Sequence, residues 1–317
     1  MSKCHHRYFC SKEHQLLDWK FGGHKYWCCK SGEINYDYEI KECKNKGKGI
    51  YTLRGFKKNE KIMVERPVLK VIEYKNKDDL KIVFNKNEPE SVKQAVNLLS
   101  SNEDNLPSKF HNNCVCIRDG GGLSGLFINF SRINHSCISN SSHTYLSDQG
   151  VMILVACCDL PKGTEITFSY LYLRILQKER IIRLRDCWGF ECNCLACRDS
   201  IIAGKLDRIT ILDSYIPKLG KDKNVEGVLA TGKELIKLHS ELNYSAQLTA
   251  RVYFDMFQLA ISKNIYYHDA IGYLKDAQKK HEEYFSCDCE LSREFLTLIK
   301  NPEWHENFGR GDVITED

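Results

Sequence analysis

Read as a pattern of apolar and polar positions, the chain changes character once, sharply. From Tyr36 to Tyr170 the apolar positions fall in short, strand-like blocks divided by turn residues, and beyond Cys197 they recur at helical spacing. Gly47-Lys48-Gly49-Ile50-Tyr51 reads as a turn entering a strand, and residues 61–71 as a strand region interrupted by Pro67. Val92, Ala95, Val96, Leu98 and Leu99 share helical spacing and predict one helix over residues 88–101. Val151-Met152-Ile153-Leu154-Val155-Ala156 predicts an apolar strand, and Leu160-Pro161-Lys162-Gly163 a turn into a strand over 166–170 that ends on Tyr170. A charged helix is predicted over 178–186, and amphipathic helices over 228–242, 248–261 and 270–285. Gly120-Gly121-Gly122 is a connector, because no P-loop lysine pattern follows it.

Composition changes this picture little. At 317 residues, 42% hydrophobic and 28% charged, the chain is long enough for two or three domains with a sizeable core. A net charge of +4 does not point to nucleic acid, and Met1-Ser2-Lys3-Cys4-His5-His6-Arg7 lacks the apolar stretch of a signal peptide. The longest apolar run, residues 151–158, is far too short to span a bilayer. The 16 cysteines are therefore expected to be reduced, and close Cys spacing to mean metal ligands rather than bridges.

The cysteines concentrate the chemistry. Cys192, Cys194 and Cys197 form a C-x-C-x-x-C triplet, one ligand short of the four that a tetrahedral zinc takes. Cys137, in Arg132-Ile133-Asn134-His135-Ser136-Cys137, is the candidate fourth. Near the N-terminus Cys10 and His14, and again His24 and Cys28, stand four residues apart, so each pair could present two ligands from one helix face.

Four motifs in order, G-x-G at 47–49, Asn134-His135-Ser136-Cys137, Phe168-Ser169-Tyr170 and the closing cysteine triplet, resemble those of SET-domain protein-lysine methyltransferases. Gly125-Leu126-Phe127 through Ser131, and Leu184-Arg185-Asp186 through Cys197, are similar to the SET- and MYND-containing (SMYD-like) members. Tyr8-Phe9-Cys10 through Cys28 resembles the second half of a MYND zinc finger, truncated and placed ahead of the SET region. The resemblance implies an α+β protein. It would comprise a truncated MYND-like finger over 1–33, a β-rich SET domain of the β-clip type with a knotted-type cofactor site over 36–186, and a post-SET zinc loop over 187–200. A helical, tetratricopeptide-like domain over 201–317 would cover the peptide cleft.

The implied activity is methyl transfer from S-adenosylmethionine to a lysine of a protein or peptide. By the same resemblance Tyr170 is the catalytic hydroxyl. Lys46, Gly47, Lys48, Gly49, Asn112, Ser131, Asn134, His135 and Phe190 line the cofactor, and Tyr172 and Trp188 line the substrate channel. Zinc would be held by Cys137, Cys192, Cys194 and Cys197. In the finger, Cys10 with His14 would serve one zinc, and Cys4 with His24 and Cys28 another. The chain is expected to act as a monomer in the nucleus or cytoplasm, without membrane or nucleic-acid partners. The rival reading is a SET-fold, zinc-dependent interaction module with weak catalysis.

Overall fold

The computed structural model describes residues 11–20, 37–43, 46–72, 90–117, 122–147, 150–171, 175–285 and 290–311. Among these, three small sheets form before residue 170 and helices take over after it. In the first sheet β1 (Tyr38–Cys43) pairs with β2 (Gly47–Thr52), then come β10 (Glu165–Phe168) and the two-residue β7 (Asn134–His135). A second sheet orders β3 (Lys61–Glu65), β9 (Val151–Ala156) and β8 (Ser141–Leu146), and a third orders β4 (Leu69–Ile72), β6 (Leu123–Leu126) and β5 (Cys114–Cys116). Pro67 separates β3 from β4, as a residue without a ladder donor should.

The apolar run of β9 is buried along its whole length because both its faces are covered. Met152, Leu154 and Ala156 join a core with Ile50, Phe127, Phe130, Ile133 and Phe168. Val151, Ile153 and Val155 pack with Ala246, Tyr284 and Phe285 from the helices. Thr144 donates to Gln247 at 2.8 Å, which adds a polar stitch between β8 and the same helices. The helical region thus braces the face of the sheet opposite the Ile50–Phe168 core.

Two short helices, α2 (Glu90–Asn97) and α3 (Leu106–Asn113), lie between β4 and β5. The first is shorter than the periodicity suggests: Leu98 turns out to solvent, and the buried Lys109 ammonium takes the carbonyls of Asn97 and Leu99. Helix α4 (Gln177–Trp188) ends on Gly189, whose φ of 72° is the left-handed cap that glycine adopts freely. That cap reverses the chain into Phe190 and the cysteine triplet. After the one-turn α5 (Leu195–Arg198), Asp199 caps α6 (Ser200–Lys221) by accepting from the N–H groups of Ile201 and Ile202. Helices α7 (Val225–Glu241), α8 (Ala246–Ala260) and α9 (Tyr267–Phe285) follow the predicted amphipathic runs, each starting two or three residues early, and α10 (Glu290–Lys300) comes after them. None of the helices among the described residues is long and apolar enough to cross a membrane.

Helix α1 (Lys12–Lys20) carries His14 on an exposed surface. Cys4, Cys10, His24 and Cys28, the other expected finger ligands, lie outside the described residues, as does Tyr172.

Candidate active site

The site is built on a parallel pairing. Strand β7 pairs with β10, setting Thr167 beside Asn134 and Phe168 beside His135, so two motifs more than 30 residues apart in the chain meet side by side. Beyond Phe168 the ladder stops, and this is why the strand ends two residues before Tyr170. The Tyr170 N–H donates to His135 Nδ1 at 3.0 Å instead of to a strand. A ring nitrogen that accepts carries no proton, so the imidazole is protonated on Nε2, which points at Cys137 Sγ 3.4 Å away. One histidine thereby ties the tyrosine loop to a cysteine.

Beneath Asn134 the packing is tight. Its amide donates to Glu165 Oε1 at 2.9 Å, and the other oxygen of Glu165 meets Lys46 Nζ at 3.3 Å. A Cβ on Gly49 would stand 2.4 Å from Cys43 Sγ and 2.9 Å from the Asn134 amide nitrogen, so only glycine fits there. Gly47 is different: its φ of 67° needs glycine, but open space surrounds it. Both glycines of the G-x-G are required, for unlike reasons.

The Tyr170 hydroxyl donates to the Ile133 carbonyl at 2.7 Å. Burial, and then the nearby charge of Glu165, push this phenol above its usual range, so it stays protonated. Rings surround it. Phe168 lies 5.1 Å from it between centroids, His135 5.2 Å, Trp188 5.4 Å and Phe190 6.3 Å edge-on. Trp188 is fixed in turn by its indole N–H, which donates to the Asn112 carbonyl at 3.2 Å. These groups open on a cavity of about 1030 Å3 that also takes in Lys46, Gly47, Lys48, Asn112, Ser131, Asn134 and Phe190.

Cys137, Cys192, Cys194 and Cys197 bring their sulfurs within 4.8 Å of one another, the one group of metal-ligand type found among the described residues. The separations of Cys137 from Cys192, Cys137 from Cys197 and Cys194 from Cys197 are 4.0, 3.7 and 3.8 Å. A tetrahedron of thiolates about 2.3 Å from zinc has edges of about 3.8 Å. These three edges match that tetrahedron, and the other separations stay within 4.8 Å, so the four thiols suit a zinc ion. Cys137 and Cys194 also pack on the helical core, so the cluster joins the Asn134–Cys137 turn, the cysteine-triplet loop and the helices.

Residues 47–171 match the SET domain family model. The chain carries a SET domain. It is similar to the Schizosaccharomyces pombe protein named Histone-lysine N-methyltransferase set5, 24% identical over 278 residues that cover 84% of this chain and 85% of that one. The Candida albicans Histone-lysine N-methyltransferase SET5 is 27% identical over 141 residues, 44% of this chain and 30% of that protein. Human Histone-lysine N-methyltransferase SMYD3 is 36% identical over 74 residues, 23% of this chain and 17% of that protein. The chain thus spans most of the first relative but less than a third of the other two.

The residues expected at the cofactor line one cavity, except Gly49, which packs beneath Asn134 instead, and not all of them turn side chains to it. The Ser131 hydroxyl is spent on the Phe127 and Asn113 carbonyls, so it shapes the turn rather than offering a donor. Lys46 is half exposed and pairs with Glu165 at 3.3 Å. Several lining or supporting residues were not anticipated: Cys43, Glu165, Phe130, Phe168 and His143. His143 sits edge-on between Phe130 at 5.1 Å and Phe168 at 5.0 Å, and burial lowers its imidazole to about 4, which keeps it neutral. Glu65, also unanticipated, accepts the backbone N–H groups of Asn129 and Phe130, both at 2.9 Å, and so pins the turn that leads into Ser131. For Glu165 and Phe168 the chain does hold a hint, since both lie on the strand that leads to Tyr170.

Proposed function

We propose that this chain is an S-adenosylmethionine-dependent protein-lysine N-methyltransferase. The observation that carries the reading is the parallel pairing of β7 with β10, which unites Asn134, His135 and Tyr170 on one cavity closed by the four-thiol cluster. The names of the relatives make core histones the first substrates to test.

In this reading Lys46, Lys48 and the glycines around them receive the amino-acid end of the cofactor, where a cation and a bare backbone suit a carboxylate. Asn134, held by Glu165, and His135, held by the Tyr170 N–H, are oriented before any ligand arrives. Phe190 offers a face to the adenine. S-adenosylmethionine, when bound, supplies a methyl group made electrophilic by the positive sulfonium. The lysine amine must give up its proton to solvent first, because at an ordinary pKa only about 0.04% is neutral at pH 7. The ring-lined, water-poor wall around Tyr170 favours the neutral amine by desolvation. With the cofactor bound, the amine lone pair would form the new N–C bond while the C–S pair stayed on sulfur. Tyr170 acts throughout as a neutral hydroxyl: its proton is committed to the Ile133 carbonyl, and its oxygen lone pairs are left to orient the reacting groups. Zinc held by the four cysteines would fix the closing loop against the cofactor turn and contribute folding free energy.

The test is methyl transfer to core histones and to a lysine peptide library, comparing wild type with Tyr170→Phe. Turnover in the variant should fall at least tenfold while calorimetric affinity for S-adenosylmethionine stays within about threefold. Equal turnover would remove Tyr170 from its role. Absence of cofactor binding by the zinc-loaded wild type would sink the enzyme reading and return the interaction module.

A further inference from the structure

We propose that Arg132 grips the carboxylate of S-adenosylmethionine, and that Lys46, which borders the same end of the cofactor, acts chiefly as a strut beneath Asn134. This assignment rests on the methyltransferase reading above. Among the described residues, the charged side chains that line the cavity are the cations Lys46, Lys48 and Arg132 and the acid Glu191, which Arg185 engages at 3.0 Å. The cofactor brings a single anionic group, its carboxylate, so one cation suffices as its main partner. Lys46 is already committed: its ammonium lies 3.3 Å from Glu165 Oε2, and Glu165 Oε1 takes the Asn134 amide at 2.9 Å. Drawing that ammonium to a second carboxylate would loosen the clamp on Asn134, and the incoming charge would meet the like charge of Glu165. Lys48 stands opposite Glu42 across β1 and β2 and is exposed, a hydrated point charge.

Arg132 is placed differently. It closes the tight turn Phe130–Arg132, two residues before Asn134, and is half-buried. Its Nη1 donates to the Leu98 carbonyl at 3.0 Å, which fixes the guanidinium against the chain that leaves α2. Burial lowers the guanidinium from its ordinary value, and the charge of Glu42 partly restores it, so the group lies near the end of the hairpin that carries Lys48. No acid among the described residues forms an ion pair with Arg132. A guanidinium stays protonated and offers five N–H donors in one plane. One is spent on Leu98, and the others are left for a two-pronged grip on a carboxylate, which a lysine cannot provide. A half-buried charge without a counter-ion is unfavourable, and a carboxylate delivered by the ligand removes that penalty.

The experiment uses the full zinc-loaded chain and two ligands that differ in that one group, S-adenosylmethionine and decarboxylated S-adenosylmethionine. Calorimetry gives both dissociation constants for wild type, Arg132→Gln, Arg132→Lys and Lys46→Gln. The ratio of the two isolates the carboxylate, because general loosening of the site weakens both ligands alike. Wild type should prefer the carboxylate form about thirtyfold, and Arg132→Gln should cut that preference about tenfold, the worth of a charged hydrogen-bond pair. Arg132→Lys keeps the charge without the fork and should cut it about threefold. Lys46→Gln should weaken both ligands together and keep most of the preference. Should Arg132→Gln fail to fold, Arg132→Lys decides, and an unchanged preference there overturns the assignment. Survival of the preference in a folded Arg132→Gln, or a larger loss in Lys46→Gln than in Arg132→Gln, overturns it equally and leaves the enzyme reading standing. If wild type binds neither ligand, both fall.

Discussion

The two glycines of the G-x-G offer the sharpest separation between packing and backbone conformation. Alanine at 49 would place its Cβ 2.4 Å from Cys43 Sγ and 2.9 Å from the Asn134 amide nitrogen, with Glu165 Oε1 at 3.3 Å. Non-bonded carbon contacts settle at about 3.5 to 4.0 Å, so Cys43 must retreat by about 1 Å from a buried site on the adjoining strand. Overpacking of this kind costs about 1 to 3 kcal/mol, and displacement of the Asn134 amide from Glu165 adds about 1 kcal/mol. Alanine at 47 meets nothing within 4 Å and pays only for its φ of 67°, about 1 to 2 kcal/mol, partly offset by a less flexible unfolded chain. Stability alone will not distinguish the two. Cofactor affinity will: Gly49→Ala should weaken S-adenosylmethionine binding at least tenfold, and Gly47→Ala about twofold or less. Urea unfolding and calorimetry on the zinc-loaded proteins measure both quantities. Adding Cys43→Ala to Gly49→Ala removes the shortest contact and should recover at least about 1 kcal/mol in a double-mutant cycle. If Gly49→Ala binds cofactor like wild type, or Cys43→Ala rescues nothing, the steric account of this glycine is wrong.

Metal removal should be equally informative. Purified protein is expected to hold about one zinc per chain by elemental analysis, and chelation or Cys137→Ser should lower the unfolding temperature and abolish cofactor binding together, since Cys137 is also the sulfur that His135 faces. Glu65 gives a pH signature, because burial lifts its carboxyl to about 7 against an unfolded value near 4.5. Between those values the folded chain keeps a proton that the unfolded chain has released, so stability falls as pH rises through that window, by about 3 kcal/mol at most. Glu65→Gln should erase that decline in unfolding temperatures recorded from pH 4.5 to 8; an unchanged slope would show that Glu65 is ionised throughout.

What could be seen in the chain and what could not divides along a physical line. Residues whose chemistry is scarce announced themselves: the cysteine triplet was one ligand short, and Cys137 stands where the fourth sulfur is needed. The apolar run 151–156 announced a strand, and the fold supplied the reason it lacks alternation, a sheet face on one side and Tyr284 and Phe285 on the other. Supporting residues of common type stayed hidden because their meaning depends on partners far away. Cys43 touches Asn134 across 91 positions, and Glu65 reaches Asn129 across 64. His143 was hidden by its own strand, Ser142-His143-Thr144-Tyr145, whose polar look suggests a wet edge when one member faces a cavity of rings.

The link that matters most is the one through His135. Its Nδ1 is held by the Tyr170 N–H and its Nε2 faces a cluster sulfur, so any shift of the metal loop is passed to the tyrosine through a single planar ring. A sulfur carrying thiolate charge strengthens the Nε2–H contact and fixes the tautomer, which in turn keeps Nδ1 free to accept. On the proposed reading, loss of zinc would therefore do more than loosen a loop. It would remove the reason for the imidazole to stay in the tautomer that positions Tyr170, so the Asn134–Cys137 turn, Tyr170 and the loop over 190–197 would fail as one unit.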